Sequence, residues 1–116
     1  MRATGELWEW EGDDLRKLVW FSNCIFQESS IKATGTWVVA MGRMLQDAGA
    51  CHIANFAISD VESIYSYEQG GIQQWLLPRS RFGRPESISR KDSRILADLV
   101  ERQSPDLVHV WGTENF

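Results

Sequence analysis

The sequence predicts an α/β fold, a Rossmann-like three-layer domain with a mainly parallel sheet. Short apolar segments alternate with segments whose apolar residues recur at helical spacing, which favours a sheet covered by helices. The apolar segments are continuous rather than alternating, as in Leu18-Val19-Trp20-Phe21, and this is typical of strands buried on both faces. Because parallel crossovers are right-handed, we expect the carboxyl ends of these strands at one edge of the sheet.

Four mainly apolar segments are the predicted strands, each ended by polar residues, glycine or proline. They span Leu15–Ser22, Cys51–Ile58, Ile72–Leu77 and Leu107–Trp111. Between the second and third, Ile64–Tyr67 is predicted as either a minor strand or one turn of helix, and Gly70-Gly71 as a turn. The fourth strand is expected to be buried. Its His109 is expected to be a hydrogen-bonded core residue, and His52 likewise.

Two helices are predicted between these strands. The first spans Gly35–Gly49, and Gly49 is its expected C-cap. Its apolar stripe, which should pack on the sheet, consists of Trp37, Met41, Met44, Leu45 and Ala48. The second helix spans Lys91–Gln103 and is limited by Pro105. The segment Arg79–Lys91, rich in arginine, glycine and proline, is predicted as a loop.

The composition is that of an ordinary folded protein. The 116 residues are 43% apolar and 24% charged, enough for one domain with one core. Residues 1–14 are polar and acidic, so we predict an N-terminal extension there and a domain over residues 15–116. In the extension, Trp8 and Trp10 alternate with acidic residues, which favours either a short edge strand or a loose extension.

Charge and hydropathy disfavour several classes of function. A formal net charge of −4 disfavours nucleic-acid binding, which needs clustered positive charge. No apolar stretch reaches the ~20 residues of a membrane span, and no secretion signal is recognisable, so a cytoplasmic location is expected. Cys24 and Cys51 are predicted as half-buried thiols in a reducing compartment. The two histidines lie far apart in the sequence and give no basis for a metal site.

Candidate binding residues lie where predicted strands end. The loops Asn23–Gly35 and Ser59–Gly70 and the segment from Gly112 onward should meet along the carboxyl edge, where α/β proteins bind ligands. Thr34-Gly35-Thr36-Trp37 begins the first helix, whose free N–H groups favour an anion, although an ordinary capped helix start explains the same residues. Trp37 could stack on a sugar ring, but its place on the helix stripe favours core packing.

Two further features carry charge near this edge. Glu114, which follows Gly112 and Thr113, could accept hydrogen bonds from substrate hydroxyls, act as a base, or cap a following helix. The segment Arg79–Arg94 is strongly basic. It could bind an anionic acceptor or make a peripheral contact with a phospholipid surface at the inner face of the membrane, and a solvated connector is the alternative.

The order of these motifs resembles a known class of enzymes. The features concerned are an apolar strand followed by Ser-Asn, a Gly-x-Trp helix start, a Trp-Leu-Leu-Pro strand and above all Pro105–Glu114, with the sequence PDLVHVWGTE. Together they are similar to the N-terminal half of GT-B glycosyltransferases in the large glycosyl transferase group 1 (family 4) class. The similarity covers about residues 15–116.

The resemblance implies a retaining glycosyltransferase of the hexosyltransferase type. Such an enzyme transfers a sugar from a nucleotide-sugar donor to a hydroxyl of a sugar or lipid-linked acceptor, without a further cofactor or metal. The implied donor-phosphate contacts are Gly35 and Thr36. The implied acceptor contacts are Asn23, Gly112, Thr113 and Glu114.

The same resemblance implies a C-terminal donor-binding domain as the partner of this one. Residues 1–116 would then be an incomplete enzyme that is inactive alone, and its catalytic residues are unassigned. A surface that normally faces the other domain would be apolar. We therefore expect that this surface could form a homodimer when the donor-binding domain is absent.

Two other classes stay open at this point. One is a stand-alone flavodoxin-like or receiver-like binding or signalling module. A receiver needs paired acids after its first strand, where this chain has Ser22-Asn23-Cys24. The other is an interaction protein whose tryptophans form a partner surface, which requires several exposed tryptophans.

Overall fold

A computed structural model describes residues 2–4, 7–9, 16–27, 36–49 and 51–111. These residues form a mixed α/β fold with a mostly parallel five-stranded sheet, which confirms the predicted fold class at this level. The elements are β1 (Arg2–Thr4), β2 (Leu7–Glu9), β3 (Arg16–Phe21), α1 (Thr36–Asp47), β4 (Cys51–Ser59), β5 (Tyr65–Gln69), β6 (Ile72–Pro78), α2 (Arg79–Phe82), a 3₁₀ turn (Pro85–Ser87), α3 (Arg90–Arg102) and β7 (Leu107–Val110).

The main sheet has the strand order β5-β6-β4-β3-β7. Strands β3, β4, β6 and β7 run parallel, and β5 runs antiparallel to β6. The chain moves outward from β3 through β4 to β6, then returns across the sheet to place β7 on the other side of β3. All four parallel strands therefore end at one edge, as expected from the right-handed crossover rule.

Both faces of the sheet are buried under helices, which explains why the strand sequences are continuously apolar. One buried cluster joins the sheet to α1, and its strand residues include Trp20, Ile53 and Ile72. The opposite cluster joins the sheet to α2 and α3, and it includes Val19, Phe56, Leu77, Phe82 and Leu99. Neighbouring residues of β3, such as Val19 and Trp20, thus serve opposite cores.

The stripe through which helix α1 packs overlaps the predicted one in part, since Met41 and Leu45 pack against the buried cluster as expected. Val38, Val39 and Gly42 are buried, whereas Met44 is 62% exposed and Ala48 is also exposed. The helix approaches the sheet closely at Gly42. A methyl group there would lie 2.8 Å from the Phe26 ring, so the absent side chain leaves room for this aromatic residue. The side chain of Trp37 lies outside the described residues.

The connections between strands match expectation in part. Of the two alternatives for the segment after β4, the minor strand is confirmed, as β5, and the turn of helix is not. Gly70 and Gly71 join it to β6 with φ angles of 59° and 85°, which glycine adopts without strain. The predicted loop Arg79–Lys91 instead contains α2 and the 3₁₀ turn. Near the N-terminus, β2 pairs with β1 in a separate two-stranded sheet; Trp8 lies in β2, and Trp10 lies outside the described residues.

The prediction that the fourth strand is buried was wrong. β7 is the outermost strand of the described sheet next to β3, and Leu107, Val108 and Val110 are 55%, 45% and 43% exposed. His109 is exposed too and stacks on Trp111, with 4.1 Å between ring centroids. His52, also expected in the core, is exposed near the start of β4. Apolar content alone therefore did not determine burial here.

The close approach at Gly42 makes a stability prediction. Gly42→Ala adds about 1 kcal/mol of helix propensity, but overpacking against the buried Phe26 ring costs about 1–3 kcal/mol. We expect a net loss of about 1 kcal/mol in the free energy of unfolding, measured by urea denaturation. Ala40→Gly, at an exposed position of the same helix, isolates the propensity effect. A stabilised Gly42→Ala variant would contradict the packing described here.

Candidate functional site

At the carboxyl edge of the sheet, the ends of β3 and β7 lie side by side. Phe21 at the end of β3 pairs with Val110 at the end of β7, and the Trp111 N–H donates to the Phe21 carbonyl at 2.7 Å. The two strands therefore end about 4.8 Å apart, the spacing of neighbouring strands. Asn23 is exposed immediately after β3.

The other candidate contacts can be placed only in part. Thr36 is the first residue of α1, but its side chain is not among those described. The remaining predicted contacts lie outside the described residues; they are Gly35, Gly112, Thr113 and Glu114. Their roles stay predictions.

The segment 22–27, which we term the first loop, is fixed by three fully buried polar side chains. We call Ser22, Asn55 and Gln74, each 0% exposed, the amide network. The Ser22 hydroxyl donates to Asn55 Oδ1 at 2.8 Å, and Asn55 Nδ2 donates to Gln74 Oε1 at 2.9 Å. Because Asn55 and Gln74 are directly paired on β4 and β6, the network crosses the sheet.

The amide network also satisfies the backbone of the first loop. Asn55 Nδ2 donates to the Cys24 carbonyl at 2.9 Å, and the Phe26 N–H donates to Gln74 Oε1 at 2.9 Å. From the neighbouring strand β5, the Tyr67 hydroxyl donates to the Phe26 carbonyl at 2.9 Å. Buried polar groups are costly unless they are paired, so these bonds hold the first loop in one conformation.

The sequence reasoning missed the amide network, although a signal was present. Asn55 interrupts an otherwise apolar strand and faces the same side of the sheet as Ile53. A polar residue at an inward position needs a buried partner, which points to a structural or functional role. The partner itself, Gln74, could not be chosen without the register of β4 against β6.

The amide network gives the second prediction. Gln74→Leu removes the acceptor of the Phe26 N–H and of Asn55 Nδ2, so we expect a loss of about 2–4 kcal/mol in the free energy of unfolding. Amide hydrogen exchange at Phe26 should become faster. The matched control is Gln73→Leu, the neighbouring position on the opposite face of β6, for which a change within about 0.5 kcal/mol is expected. Equal effects of the two variants would contradict this role.

Ion pairs order the segment between β6 and α3. Arg79 at the end of β6 donates to Asp60 at the end of β4, with 2.9 Å between Nε and Oδ1. Arg81 donates to Asp92 Oδ1 through Nη2 at 2.6 Å and Nε at 3.1 Å. The hydrogen bond from Arg81 holds the pKa of the Asp92 carboxyl below its ordinary range. Asp92 also lies in the first turn of α3, where its N–H donates to the Ser89 hydroxyl.

The ion pair between Arg81 and Asp92 makes the stability of the protein depend on pH. Because the pKa of Asp92 is lowered in the folded state, its contribution is present above the ordinary carboxyl pKa and is lost as the pH falls through the folded-state value. Asp92→Asn should therefore destabilise the protein at neutral pH, and the difference should shrink in acid. Urea denaturation across this pH range measures it. Asp98→Asn breaks an exposed pair with Arg102 in the same helix and serves as control; an Asp92→Asn effect that is constant with pH would refute the assignment.

Among the described residues, the two thiols show no sign of activation. Cys24 and Cys51 are buried thiols, and burial raises the pKa of each, which disfavours the nucleophilic thiolate. Within the described part of the chain, histidine, cysteine and acidic side chains form no group of three or more that could hold a metal ion. None of the described helices is both long and apolar enough to cross a lipid bilayer.

Comparisons with known proteins found no relative of this chain. No family model matches it, and no curated protein or solved structure is significantly similar to it. Function must therefore be argued from the sheet, its edge and the side chains placed there.

Proposed function

We propose that residues 1–116 form the acceptor-side domain of a retaining glycosyltransferase with a Rossmann-like fold. The enzyme would move a sugar from a nucleotide-sugar donor to an acceptor hydroxyl. The donor would be bound by a second domain outside these residues, where arginine, lysine and helix termini would stabilise the charge of the departing diphosphate. The motif order of the sequence and the strand order of the sheet support this proposal.

The strand order is the observation that carries the proposal. Read in chain order, the parallel strands β3, β4, β6 and β7 are arranged as 3-2-1-4, the order that begins a Rossmann sheet. The order reverses between β3 and β7, and ligands of such sheets bind in the crevice outside the carboxyl ends at this point. The first loop leaves β3 there and presents Asn23 to solvent. Its side-chain amide can both donate to and accept from sugar hydroxyls.

The same observation disfavours the alternatives. A flavodoxin-like or receiver-like order, 2-1-3-4-5, would place β6 on the side of β3 opposite β4, whereas β6 here pairs with β4. An interaction surface of tryptophans also lacks support among the described side chains. Trp20 is 2% exposed, and Trp75 and Trp111 are half-buried.

A transfer assay tests the proposal. Residues 1–116 alone should show no turnover with a panel of labelled nucleotide sugars, whereas the polypeptide that includes the proposed donor domain should transfer label to an acceptor. In that longer polypeptide, Asn23→Ala should raise the KM for acceptor about tenfold with the KM for donor unchanged, as expected for a lost hydrogen bond to acceptor.

The control variant changes an exposed residue that is not a candidate contact. Glu62→Ala changes an exposed residue on the connection from β4 to β5 and should leave both KM values unchanged. Turnover by residues 1–116 alone would refute the division of labour between two domains. An Asn23→Ala variant whose acceptor KM is unchanged would refute the assigned acceptor contact.

A further inference from the structure

A depression of about 640 Å³ lies at the ends of β4 and β6, and it is lined by arginines and hydroxyls. Arg79, Arg81 and Arg84 line it together with Ser80 and Ser87, and Asp60 is the acid among its lining residues. We propose that this depression binds a phosphoryl group, carried either by a soluble phosphoester or by a phospholipid headgroup. The inference does not depend on the sugar transfer proposed above.

The charge of the lining favours an anion. Three guanidinium groups stand against two carboxylates, Asp60 in the lining and Asp92 paired with Arg81, so a net positive charge remains although the whole chain has a net charge of −4. A planar guanidinium donates two parallel hydrogen bonds to phosphate oxygens, which suits arginine better than lysine for this ligand. The Ser80 hydroxyl beside the arginines can donate to a remaining phosphate oxygen.

The arginines differ in how firmly they are held. Arg81 is oriented by Asp92, which takes its Nε and one Nη2 hydrogen and leaves further N–H donors of the guanidinium for a ligand. The Arg79–Asp60 pair is open to solvent, with 61% and 86% of the two side chains exposed. Exposed pairs of this kind contribute little to stability, so a phosphoryl group can replace Asp60 as the partner of Arg79.

The backbone under these side chains is constrained. A methyl group on Gly83 would lie 2.5 Å from the Arg79 carbonyl oxygen, which shows how closely α2 turns back on itself. The next turn is closed by Ser87, whose N–H and hydroxyl donate to the Arg84 carbonyl at 3.0 and 3.3 Å. Arg79 and Arg84 are therefore presented from a preorganised backbone, which lowers the entropy lost on binding.

Inorganic phosphate is the first probe, titrated into residues 1–116 at constant ionic strength with chloride as the balancing anion. Backbone amide shifts should change around residues 79–87 and follow a saturable curve. Arg84→Gln should weaken phosphate binding about tenfold, since a charge-assisted pair of hydrogen bonds is lost. The matched control is Arg94→Gln, the same change in the same basic segment but outside the lining, which should leave the affinity unchanged.

Two further binding experiments identify the source of the phosphoryl group. Glycerol phosphate represents soluble esters, with glycerol as its control. Vesicles of phosphatidylcholine with phosphatidylglycerol, compared with phosphatidylcholine alone, represent a headgroup surface. Binding in either experiment that is weakened by Arg84→Gln and not by Arg94→Gln supports the site. Equal weakening by both variants, shifts spread evenly over all arginines, or no saturable binding of phosphate would overturn it.

Discussion

The amide network is the constraint on which the conformation of the first loop depends. The first loop leaves the interior strand β3, and its Cys24 carbonyl and Phe26 N–H are directed into the protein rather than toward solvent. Asn55 and Gln74 satisfy these groups from β4 and β6, so two strands and one loop share a single set of buried hydrogen bonds. A hydrophobic residue in place of Gln74 would remove the acceptor of the Phe26 N–H and of Asn55 Nδ2 in a dry environment. The position of Asn23 at the crevice follows from this arrangement.

The amide network also gives the two faces of this small sheet different tasks. The face toward α1 carries polar pairing at its carboxyl end and apolar packing at its amino end. The opposite face is apolar along β3, β4 and β6, where Phe21, Phe56 and Trp75 stack with 5.3 and 5.7 Å between successive ring centroids. Specific polar contacts position the loop on one side, while aromatic packing holds the strands on the other. The two tasks do not compete for the same residues.

The parts of this fold that could be predicted from sequence are those set by local patterns. Continuous apolar segments located the four parallel strands, and helical spacing located α1 and α3, because both signals lie within about a dozen neighbouring residues. The glycine pair at the β5–β6 turn was equally readable, since its backbone conformation suits glycine alone. The exposure of β7 was not predictable in this way. Its residues are as apolar as those of β3, and only the strand order places β7 at the outside.

The candidate site was less predictable than the fold, because it depends on contacts between residues that are distant in the sequence. The common carboxyl edge followed from the crossover rule, but the partners of Ser22 and Arg81 lie 33 and 11 residues away. The helix stripe was predicted only in part, because the close contact of Gly42 with Phe26 depends on packing against a distant segment of chain. Long-range register and close packing, which decide such details, leave little trace in a single sequence.

The attachment of β7 has a consequence for folding. Its first contact with β3 joins Asp106 to Lys17 across 89 residues of chain, whereas β4 and β6 meet over a much shorter separation. Closing so long a loop costs more entropy and slows the pairing of distant strands. The ladder between β3 and β7 should therefore form after the rest of the sheet. In the native protein it should also be the first to fray, so that the crevice beside the first loop opens without global unfolding.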